Sequence, residues 1–243
     1  MRLELVIFDC DGVLIDSEAV SARGLSEVFW RHGYPITPEA VLQRFTGVSD
    51  RDARIMVERE ICRRFPDDFD QQVEAATLQL YGGEVTAIAH VAEAIKAIEL
   101  PKCVASSSTL VKIRHGLSCA GLQPSFDDHI FSALQVKCGK PAPDLFSFAA
   151  AQMNTSPERC LVVEDSVPGV TGARAAGMTV LGFHGGSHCR AGHGKILRNA
   201  GAAATFNDMR QLPPLIAQIG QKAGQAAGFS PPQAISERRA WKA

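Results

Sequence analysis

The chain has 243 residues, and its 25 Lys and Arg residues nearly balance its 26 Asp and Glu residues, which gives a formal charge of −1. This balance argues against a protein dedicated to nucleic acid, because affinity for the phosphate backbone comes from a surplus of Lys and Arg. The hydrophobic fraction of 46% and the charged fraction of 21% are typical of a folded globular protein with one or two domains.

The same composition gives no indication of a membrane protein. No apolar run approaches the roughly 20 residues that span a bilayer, and the N-terminal residues lack the pattern of a signal peptide. The seven cysteines are an odd number and form no C-x-x-C pair, so reduced thiols are expected. We therefore expect a cytoplasmic protein. We also expect a monomer or a weak homodimer, with no membrane and no nucleic acid among its partners.

Short apolar runs alternate with helical patterns along most of the chain. The apolar runs are Leu3–Phe8, Cys103–Ala105, Cys160–Val163 and Thr179–Phe183. Helical periodicity lies between them, for example in Leu110–Ala120 and Leu145–Met153. Because strands that alternate with helices form βαβ units, the pattern predicts an α/β protein with a three-layer, Rossmann-like parallel sheet.

The stretch between residues 17 and 83 contains helical patterns but no convincing strand. The helical segments are Ala19–Arg31, Pro38–Phe45, Arg51–Phe65 and Phe69–Leu80. A block of helices after the first strand predicts an insertion into the sheet domain. We therefore expect a core domain of residues 1–16 and 84–220, a helical cap of residues 17–83 and a loose C-terminal tail of residues 221–243.

Acidic side chains follow two of the apolar runs. Asp9 and Asp11 follow the first run, and Glu164 and Asp165 follow the run that begins at Cys160. Because the carboxyl ends of parallel strands share one edge of a sheet, we expect the four carboxylates to converge there. Like charges at such distances raise one another's pKa, and a divalent cation relieves the repulsion. All-oxygen ligands favour Mg²⁺, so the sequence predicts a magnesium site formed by these four residues.

Hydroxyl side chains and one lysine are candidates for binding a phosphate group at the same edge. Ser106, Ser107 and Ser108 follow the second apolar run, just before a helical pattern, where free N–H groups and the helix dipole favour an anion. Ordinary helix caps are the alternative explanation for these serines. Lys140 lies in a proline-containing loop, and it is either a solvated surface lysine or a cation beside the phosphate.

Four motifs in order along the chain resemble those of the haloacid dehalogenase superfamily. They are Asp9-Cys10-Asp11-Gly12-Val13-Leu14-Ile15-Asp16-Ser17-Glu18, then Ser106, then Lys140-Pro141-Ala142-Pro143-Asp144, and last Glu164-Asp165-Ser166-Val167-Pro168-Gly169. The helical insertion is similar to the cap of the branch that contains β-phosphoglucomutase and small sugar-phosphate phosphatases. The resemblance implies a magnesium-dependent phosphatase whose partner is a small-molecule phosphate ester, either a sugar phosphate or a sugar-acid phosphate such as phosphogluconate.

The resemblance also implies roles for individual residues. Asp9 would be the nucleophile that forms an aspartyl-phosphate. Asp11 would protonate the leaving oxygen and then deprotonate the water that hydrolyses the intermediate. Ser106 and Lys140 would bind the phosphoryl oxygens and offset their charge. The second aspartate argues against dehalogenation, because the dehalogenases of this superfamily lack it.

The metal site implied by the resemblance uses three of the four carboxyl-bearing residues at this edge directly. Mg²⁺ would be held by Asp9, by Asp165 and by the main-chain carbonyl of Asp11. Glu164 would be either a fourth direct ligand or a partner of one, and the motif leaves that choice open.

The helical insertion offers arginine but no lysine, since the first lysine of the chain is Lys96. Phosphonate-cleaving relatives need a cap lysine, so that activity is not expected. Mutases resembling β-phosphoglucomutase carry a cap histidine, where this chain has Ser21, and a cap lysine, which it lacks. Both differences argue against a sugar phosphomutase, which stays the alternative enzyme. Gly47 lies in a segment similar to the specificity loop of that group. Arg44 and Arg51 flank it, and they are either solvated or bind a substrate carboxylate or hydroxyls.

Two further interpretations concern other classes of function. A non-catalytic protein could use this fold to bind a phosphorylated ligand or a partner, but such a protein has no need for both a nucleophile and an acid. Separately, His184, His188, Cys189 and His193 have spacings that are compatible with zinc ligands. A mobile polar loop is the simpler interpretation of that glycine-rich segment.

Overall fold

The computed structural model describes residues 2–226, and within that range the chain forms eight strands and ten α-helices. The strands are β1 (Leu5–Phe8), β2 (Ile15–Asp16), β3 (Thr86–Ala87), β4 (Lys102–Ser106), β5 (Ile130–Ser132), β6 (Cys160–Glu164), β7 (Thr179–Phe183) and β8 (Ala204–Phe206). The helices are α1 (Glu18–Arg31), α2 (Pro38–Phe45), α3 (Asp50–Ile61), α4 (Phe69–Glu84), α5 (Val91–Ala97), α6 (Leu110–Cys119), α7 (Asp144–Gln152), α8 (Val167–Ala175), α9 (His193–Asn199) and α10 (Leu212–Ala226). Among these helices, none is both long and apolar enough to cross a lipid bilayer.

Six of these strands form one parallel sheet in the order β5-β4-β1-β6-β7-β8. β1 lies near the middle and pairs with β4 and β6, so that Ile7 stands beside Cys103 on one side and Val162 on the other. All four residues of β1 are buried, as expected for a parallel strand that is covered on both faces. The predicted α/β fold with a parallel sheet is confirmed.

The two faces of the sheet pack against separate layers of helices, because successive side chains of a strand point to opposite sides. Val6 and Phe8 belong to an apolar cluster that includes residues of α5, α6 and α10. Leu5 and Ile7 belong to a second cluster, with residues of α7, α8 and α9. The sheet therefore lies between two helical layers, and its carboxyl edge stays free for polar residues.

Helices α1 to α4 form a helical block with an apolar cluster of its own. The ring of Phe29 lies at its centre, with centroid distances of 5.4 Å to Phe65, 5.1 Å to Phe69 and 6.5 Å to Phe45. β2 and β3 pair antiparallel where the chain leaves the sheet and where it returns. This short connection was not predicted from the sequence, and the division of the chain into a core and a cap stays a prediction.

Several element boundaries differ from the sequence-based expectation, and α4, for example, ends at Glu84 instead of Leu80. α3 ends at Ile61 instead of Phe65, because Cys62 adopts a left-handed conformation with φ 51° that stops the helix. α10 continues to Ala226, so the expected tail from residue 221 begins inside a helix. The rest of that predicted tail, residues 227–243, lies outside the described residues.

Candidate active site

Polar side chains from adjacent strands meet at the carboxyl edge of the sheet. Asp9 follows β1, Ser106 ends β4, Glu164 ends β6 and Asp165 comes directly after it. All four side chains are buried. Because β4, β1 and β6 are neighbours that run in the same direction, the structure brings these residues together as the sequence predicts.

Lys140 is the cation in the middle of this acidic group. Its Nζ donates to Asp9 Oδ1 and to Glu164 Oε1, at 2.6 Å in each case. Only 2% of the lysine side chain is exposed, so it is not a solvated surface lysine. Burial would lower the pKa of Lys140, but the charges of Asp9 and Glu164 raise it above its ordinary value. The ammonium group is therefore charged and fixed between two strand ends.

Both carboxylate oxygens of Glu164 have hydrogen-bond donors. Oε1 accepts from Lys140, and Oε2 accepts from the main-chain N–H and the hydroxyl of Ser166, at 2.8 Å and 2.9 Å. A Cβ atom at Gly169 would lie 1.7 Å from Glu164 Oε1. Helix α8 can therefore approach this carboxylate only because residue 169 has no side chain. Glu164 is therefore held by donors on both of its oxygens, and one of these donors is Lys140.

Four hydroxyl groups surround the carboxylate of Asp11. Oδ1 accepts from Ser17 at 2.6 Å and from Tyr81 at 3.1 Å. Oδ2 accepts from Ser106 at 3.3 Å and from Ser108 at 2.8 Å. Burial alone would raise the pKa of Asp11, but the positive charge of Lys112 on α6 and these hydrogen bonds lower it below its ordinary value. The carboxylate form of Asp11 is therefore favoured in this environment.

The serines at residues 106–108 line a cavity between the sheet edge and the helical block. Ser107 donates across this cavity to the main-chain carbonyl of Gly47, at 3.4 Å, and Gly47 lines it as well. The cap of α6 is Thr109, whose hydroxyl accepts from the main-chain N–H of Lys112 at 3.1 Å. The helix-cap explanation thus applies to Thr109, and the three serines face the cavity.

Two charged side chains that the sequence analysis did not single out line the same cavity. Lys112 is 5% exposed, and its Nζ lies 3.5 Å from Asp50 Oδ2 of α3. Burial would lower the pKa of Lys112, but the nearby acidic groups, led by Asp50, raise it well above its ordinary value. Burial and the carboxylates of Asp165 and Asp11 raise the pKa of Glu18 to about 8. The cavity therefore contains a buried cation as well as carboxyl groups.

One local feature of the sequence could have drawn attention to Lys112. It lies in the first turn of α6, where a positive charge faces the positive end of the helix dipole and is unfavourable for the helix itself. A buried lysine at such a position indicates that its surroundings, rather than the helix, determine the residue. Glu18 offers no comparable signal, because a glutamate in the first turn of α1 is favourable.

Arg44 and Arg51, which the sequence left as either solvated or substrate-binding, do not line the cavity. The Arg44 guanidinium donates to the Tyr34 hydroxyl and to Glu60 Oε2, both at 2.6 Å, on an exposed face of the helical block. Arg51 is exposed in the first turn of α3. The structure therefore does not bring the two arginines to the site. The lysines Lys112 and Lys140 line the cavity instead.

The acidic cluster has the properties of a magnesium site. Oxygen atoms of Asp9, Glu164 and Asp165 lie within 4.8 Å of one another. Asp165 Oδ2 is buried, and apart from a 3.1 Å contact with His188 Nε2 it has no polar partner in the described range. Burial raises the pKa of Asp9 well above its ordinary value, and Glu164 and Asp165 raise it further against the opposing charge of Lys140. A divalent cation would relieve this repulsion, so the residues present fit Mg²⁺.

The histidine-containing loop after β7 packs directly against Asp165. His188 Nε2 lies 3.1 Å from Asp165 Oδ2, and His193 Nε2 lies 2.6 Å from the main-chain carbonyl oxygen of Asp165. Only 3% of the His188 side chain is exposed. This part of the segment is therefore packed against the site, in contrast to the mobile polar loop that the sequence favoured.

Comparison with known proteins shows similarity over most of the chain. Residues 3–177 match the family model described as haloacid dehalogenase-like hydrolase. The 6-phosphogluconate phosphatase of Escherichia coli (strain K12) is 33% identical over 215 residues, which are 88% of this chain and 95% of that protein. A phosphorylated carbohydrates phosphatase of Thermotoga maritima is 30% identical over 206 residues, which are 83% of this chain and 93% of that protein.

Solved structures show the same relationship in three dimensions. A conserved haloacid dehalogenase-like protein from Agrobacterium tumefaciens is 38% identical, has a TM-score of 0.74, and matches 89% of this chain and 99% of its own. A HAD family hydrolase from Deinococcus radiodurans, with bound phosphate and sodium, is 31% identical with a TM-score of 0.69 and matches 90% of this chain and 97% of its own. The sheet and the helical block are thus both included in the similarity.

Proposed function

The chain belongs to the haloacid dehalogenase-like hydrolase family and is a phosphoric monoester hydrolase, and from this premise we propose that it hydrolyses a small phosphorylated carbohydrate through an aspartyl-phosphate on Asp9. The observation that carries the proposal is the pair of 2.6 Å contacts by which Lys140 joins Asp9 and Glu164. Those contacts support the roles that we propose at this sheet edge: Asp9 as the nucleophile, Lys140 as the cation that binds phosphate, and Glu164 as the carboxylate that orients the lysine.

Two transfers of the phosphoryl group make up the proposed reaction. In the first, a carboxylate oxygen of Asp9 forms a bond to phosphorus, and the bond from phosphorus to the sugar oxygen breaks. That leaving oxygen takes a proton from Asp11, while Lys140 and Ser106 bind the phosphoryl oxygens. In the second, water forms a bond to the same phosphorus and gives its proton to Asp11, while the bond from phosphorus to Asp9 breaks. This step releases inorganic phosphate and restores the Asp9 carboxylate.

Asp11 has to change its protonation state between the two transfers. The hydrogen bonds from hydroxyl groups and the positive charge of Lys112 lower its pKa despite burial, and they favour the carboxylate that accepts a proton from water. A substrate phosphate dianion beside Asp11 has the opposite effect, since a neighbouring negative charge favours the protonated acid. Arrival of substrate thus prepares Asp11 for the first transfer.

Mg²⁺ would be held by Asp9, by Asp165 and by the main-chain carbonyl of Asp11. When bound, the ion supplies positive charge that stabilises the transferring phosphoryl group. Glu164 has donors on both of its oxygens, and we assign it to orienting Lys140. Removal of divalent ions with EDTA is expected to stop phosphate release, and added Mg²⁺ is expected to restore it. Undiminished turnover in excess EDTA would contradict this assignment.

We infer that the substrate carries a carboxylate in addition to its phosphate. The Escherichia coli relative supports this, because it acts, by its name, on 6-phosphogluconate, which is a sugar-acid phosphate. In this chain the ammonium group of Lys112 faces the cavity that also contains Asp9 and Lys140. A substrate carboxylate would pair with Lys112, while Glu18 and Asp50 would accept hydrogen bonds from sugar hydroxyls.

A sugar phosphomutase is the alternative reaction within the same family. Ser21 lines the cavity at the position where the sequence analysis expects an acid–base histidine in mutases, and its hydroxyl is hydrogen-bonded to the Tyr81 hydroxyl at 3.0 Å. A serine hydroxyl does not exchange protons with substrate near neutral pH as histidine does. A serine at this position favours hydrolysis over transfer of the phosphoryl group to a sugar hydroxyl. Stoichiometric release of inorganic phosphate without an added bisphosphate is therefore expected.

The nucleophile is tested by Asp9→Asn in the full chain with Mg²⁺ and 6-phosphogluconate. Phosphate release is expected to fall by about 10⁴-fold or more, as for removal of a nucleophile in other enzymes. Asp128→Asn is the matched control, because that carboxylate is 95% exposed and distant from the edge. Retained turnover in Asp9→Asn, with the control unchanged, would overturn the proposed function.

A further inference from the structure

Three metal-ligating side chains meet in the loop after β7 and at the start of α9. One ligand atom from each of His188, Cys189 and His193 lies within 4.8 Å of the other two. His188 Nε2 is 3.3 Å from Cys189 Sγ, and the centroids of the two imidazole rings are 6.0 Å apart. Bonds of about 2.0–2.3 Å to one tetrahedral ion place its ligand atoms about 3.3–3.8 Å apart. Small movements of the three side chains would therefore bring their ligand atoms to the separations that one ion requires.

The hydrogen bond of His193 leaves one ring nitrogen available to a metal. Its Nε2 lies 2.6 Å from the main-chain carbonyl oxygen of Asp165, and a carbonyl oxygen only accepts, so Nε2 carries the proton. In the neutral ring Nδ1 is then the free ligand atom. Histidines that bind metals usually donate their second N–H group to a carbonyl or a carboxylate, and that partner is already in place here.

His188 occupies a narrow slot beside Asp165. A Cβ atom at Gly12 would lie 2.8 Å from His188 Cε1, and one at Gly186 would lie 2.9 Å from His188 Nδ1. Nδ1 of this ring is buried without a hydrogen-bond partner among residues 2–226. Asp165 Oδ2 is buried as well, and its polar contact is Nε2 of the same ring, at 3.1 Å. Buried polar atoms are nearly always paired, so the unpaired ring nitrogen indicates a place that protein atoms alone leave incomplete.

We propose that His188, Cys189 and His193 form a second cation site, specific for zinc or another divalent ion that prefers thiolate and imidazole ligands. Asp165 Oδ2 lies 3.1 Å from His188 Nε2 but outside the group that the three side chains form, so it would complete the ligand set only after a shift toward the loop. The ligand chemistry separates this site from the all-oxygen cluster, which prefers Mg²⁺.

The two cation sites share Asp165, and they therefore compete for it. An ion held by the three loop side chains draws the Asp165 carboxylate toward the loop and away from Asp9. Zinc is expected to lower phosphate release at a fixed Mg²⁺ concentration for this reason. This consequence rests on the proposed function, whereas binding of the ion to the loop does not.

The binding is tested with cobalt as a spectroscopic probe. The full chain, freed of metal with a chelator, is titrated with Co²⁺ in the presence of Mg²⁺. One equivalent of Co²⁺ per chain is expected to give a near-ultraviolet thiolate-to-cobalt charge-transfer band, and added Zn²⁺ is expected to remove it by displacement. A titration without any thiolate band would overturn the proposal.

Two variants and one control assign the band to the loop. Cys189→Ser is expected to abolish it, and His193→Gln is expected to weaken Co²⁺ binding at least about tenfold, since even outer partners of metal ligands contribute about 10–100-fold. Cys119→Ser is the matched control, because Cys119 Sγ lies 3.7 Å from His115 Nε2 without a third ligand in the described part of the chain. A band that persists in Cys189→Ser and disappears in Cys119→Ser would overturn the assignment.

Alkylation of the unchanged protein tests the same site without depending on the folding of variants. Zn²⁺ is expected to protect Cys189 from alkylation by iodoacetamide, as read by peptide mass spectrometry, while exposed Cys62 and Cys138 stay reactive. Equal alkylation of Cys189 with and without Zn²⁺ would contradict the site. If Co²⁺ binds as described but no phosphate ester is hydrolysed, the proposed function fails and the cation site stands.

Discussion

Lys112 Nζ, in the first turn of α6, lies 3.5 Å from Asp50 Oδ2, in the first turn of α3. A helix of the sheet layer and a helix of the helical block thus face each other through opposite charges across the cavity. The distance is longer than that of a close ion pair, so the ammonium group keeps donors available for another anion. The hydrogen bond between Thr109 and Glu74 is a second polar contact between the two parts of the molecule.

Lys112→Met is expected to reduce the preference for a sugar-acid phosphate over a neutral sugar phosphate. Methionine fills similar space but has no charge, so the pairing with a substrate carboxylate is lost while contacts to the phosphate remain. A hydrogen bond to a charged group contributes about 1.5–3 kcal/mol, which corresponds to about a 10–150-fold change. The measurement is the ratio of kcat/KM for 6-phosphogluconate to that for glucose 6-phosphate.

Arg51→Met is the matched control for this experiment. It removes a cation of the helical block that does not line the cavity, and the ratio is expected to stay the same. Equal losses on both substrates in Lys112→Met would show that the lysine acts on the phosphate or on folding instead of on the carboxylate.

Glu164→Gln is expected to lower kcat by about 10–100-fold at saturating Mg²⁺, the usual effect of removing a partner that orients a functional group. Glutamine can still accept from Ser166, but it no longer provides the charge that fixes Lys140 at 2.6 Å. Glu158→Gln, an exposed glutamate before β6, is the control and is expected to leave kcat unchanged.

The same variant separates two roles for Glu164. If it only orients Lys140, the Mg²⁺ concentration that gives half-maximal activity stays close to that of the unchanged chain. If it is a direct metal ligand, that concentration rises and high Mg²⁺ restores kcat. Recovery of kcat at high Mg²⁺ would therefore contradict the assignment that we propose.

The sequence was sufficient for the parts of the structure that depend on local patterns. Continuous apolar runs predicted the long buried strands, and helical periodicity predicted α1 to α4 within a few residues. β5 and β8 were missed because three-residue strands leave too short a pattern to recognise. The β2–β3 pair was missed for the same reason, since each of its strands has two residues.

The site was predictable only where a side chain follows a strand. Asp9 and Glu164 converge because parallel strands place their ends together, and the sequence order reveals this. Lys112 and Glu18 reach the cavity through the packing of helices on the sheet, which no local pattern specifies. From its place beside Gly47, Arg44 was either a solvated arginine or a substrate-binding one, and Glu60, 16 residues further on, binds its guanidinium.

Gly169→Ala is expected to destabilise the fold by about 1–3 kcal/mol, because an added methyl group would overlap the fixed carboxylate of Glu164. Gly82→Ala is the matched control, since Gly82 is exposed within α4 and a Cβ atom there would contact nothing within 4 Å. This second substitution is expected to stabilise the helix by about 0.5–1 kcal/mol. Urea denaturation compares the two, and equal stability of both variants would contradict the packing of α8 on Glu164.

Asp11→Asn is expected to separate the two phosphoryl transfers. Asparagine can neither protonate a sugar leaving oxygen nor accept a proton from water, and loss of such proton transfer costs about 10²–10⁴-fold in turnover of 6-phosphogluconate. The leaving oxygen of 4-nitrophenyl phosphate needs no proton near neutral pH. With that substrate, the variant is expected to release about one equivalent of 4-nitrophenolate rapidly and then to stall, because the second transfer still requires a base.

The stalled species identifies the step that fails. Intact mass is expected to show one phosphoryl group on the Asp11→Asn chain after the rapid phase, and none on a chain that also carries Asp9→Asn. A rapid phase that survives the second substitution would place the phosphoryl group on another residue. Equal losses on the sugar phosphate and the aryl phosphate, with no rapid phase, would remove Asp11 from the acid–base role, because the first transfer to the aryl leaving group does not depend on it.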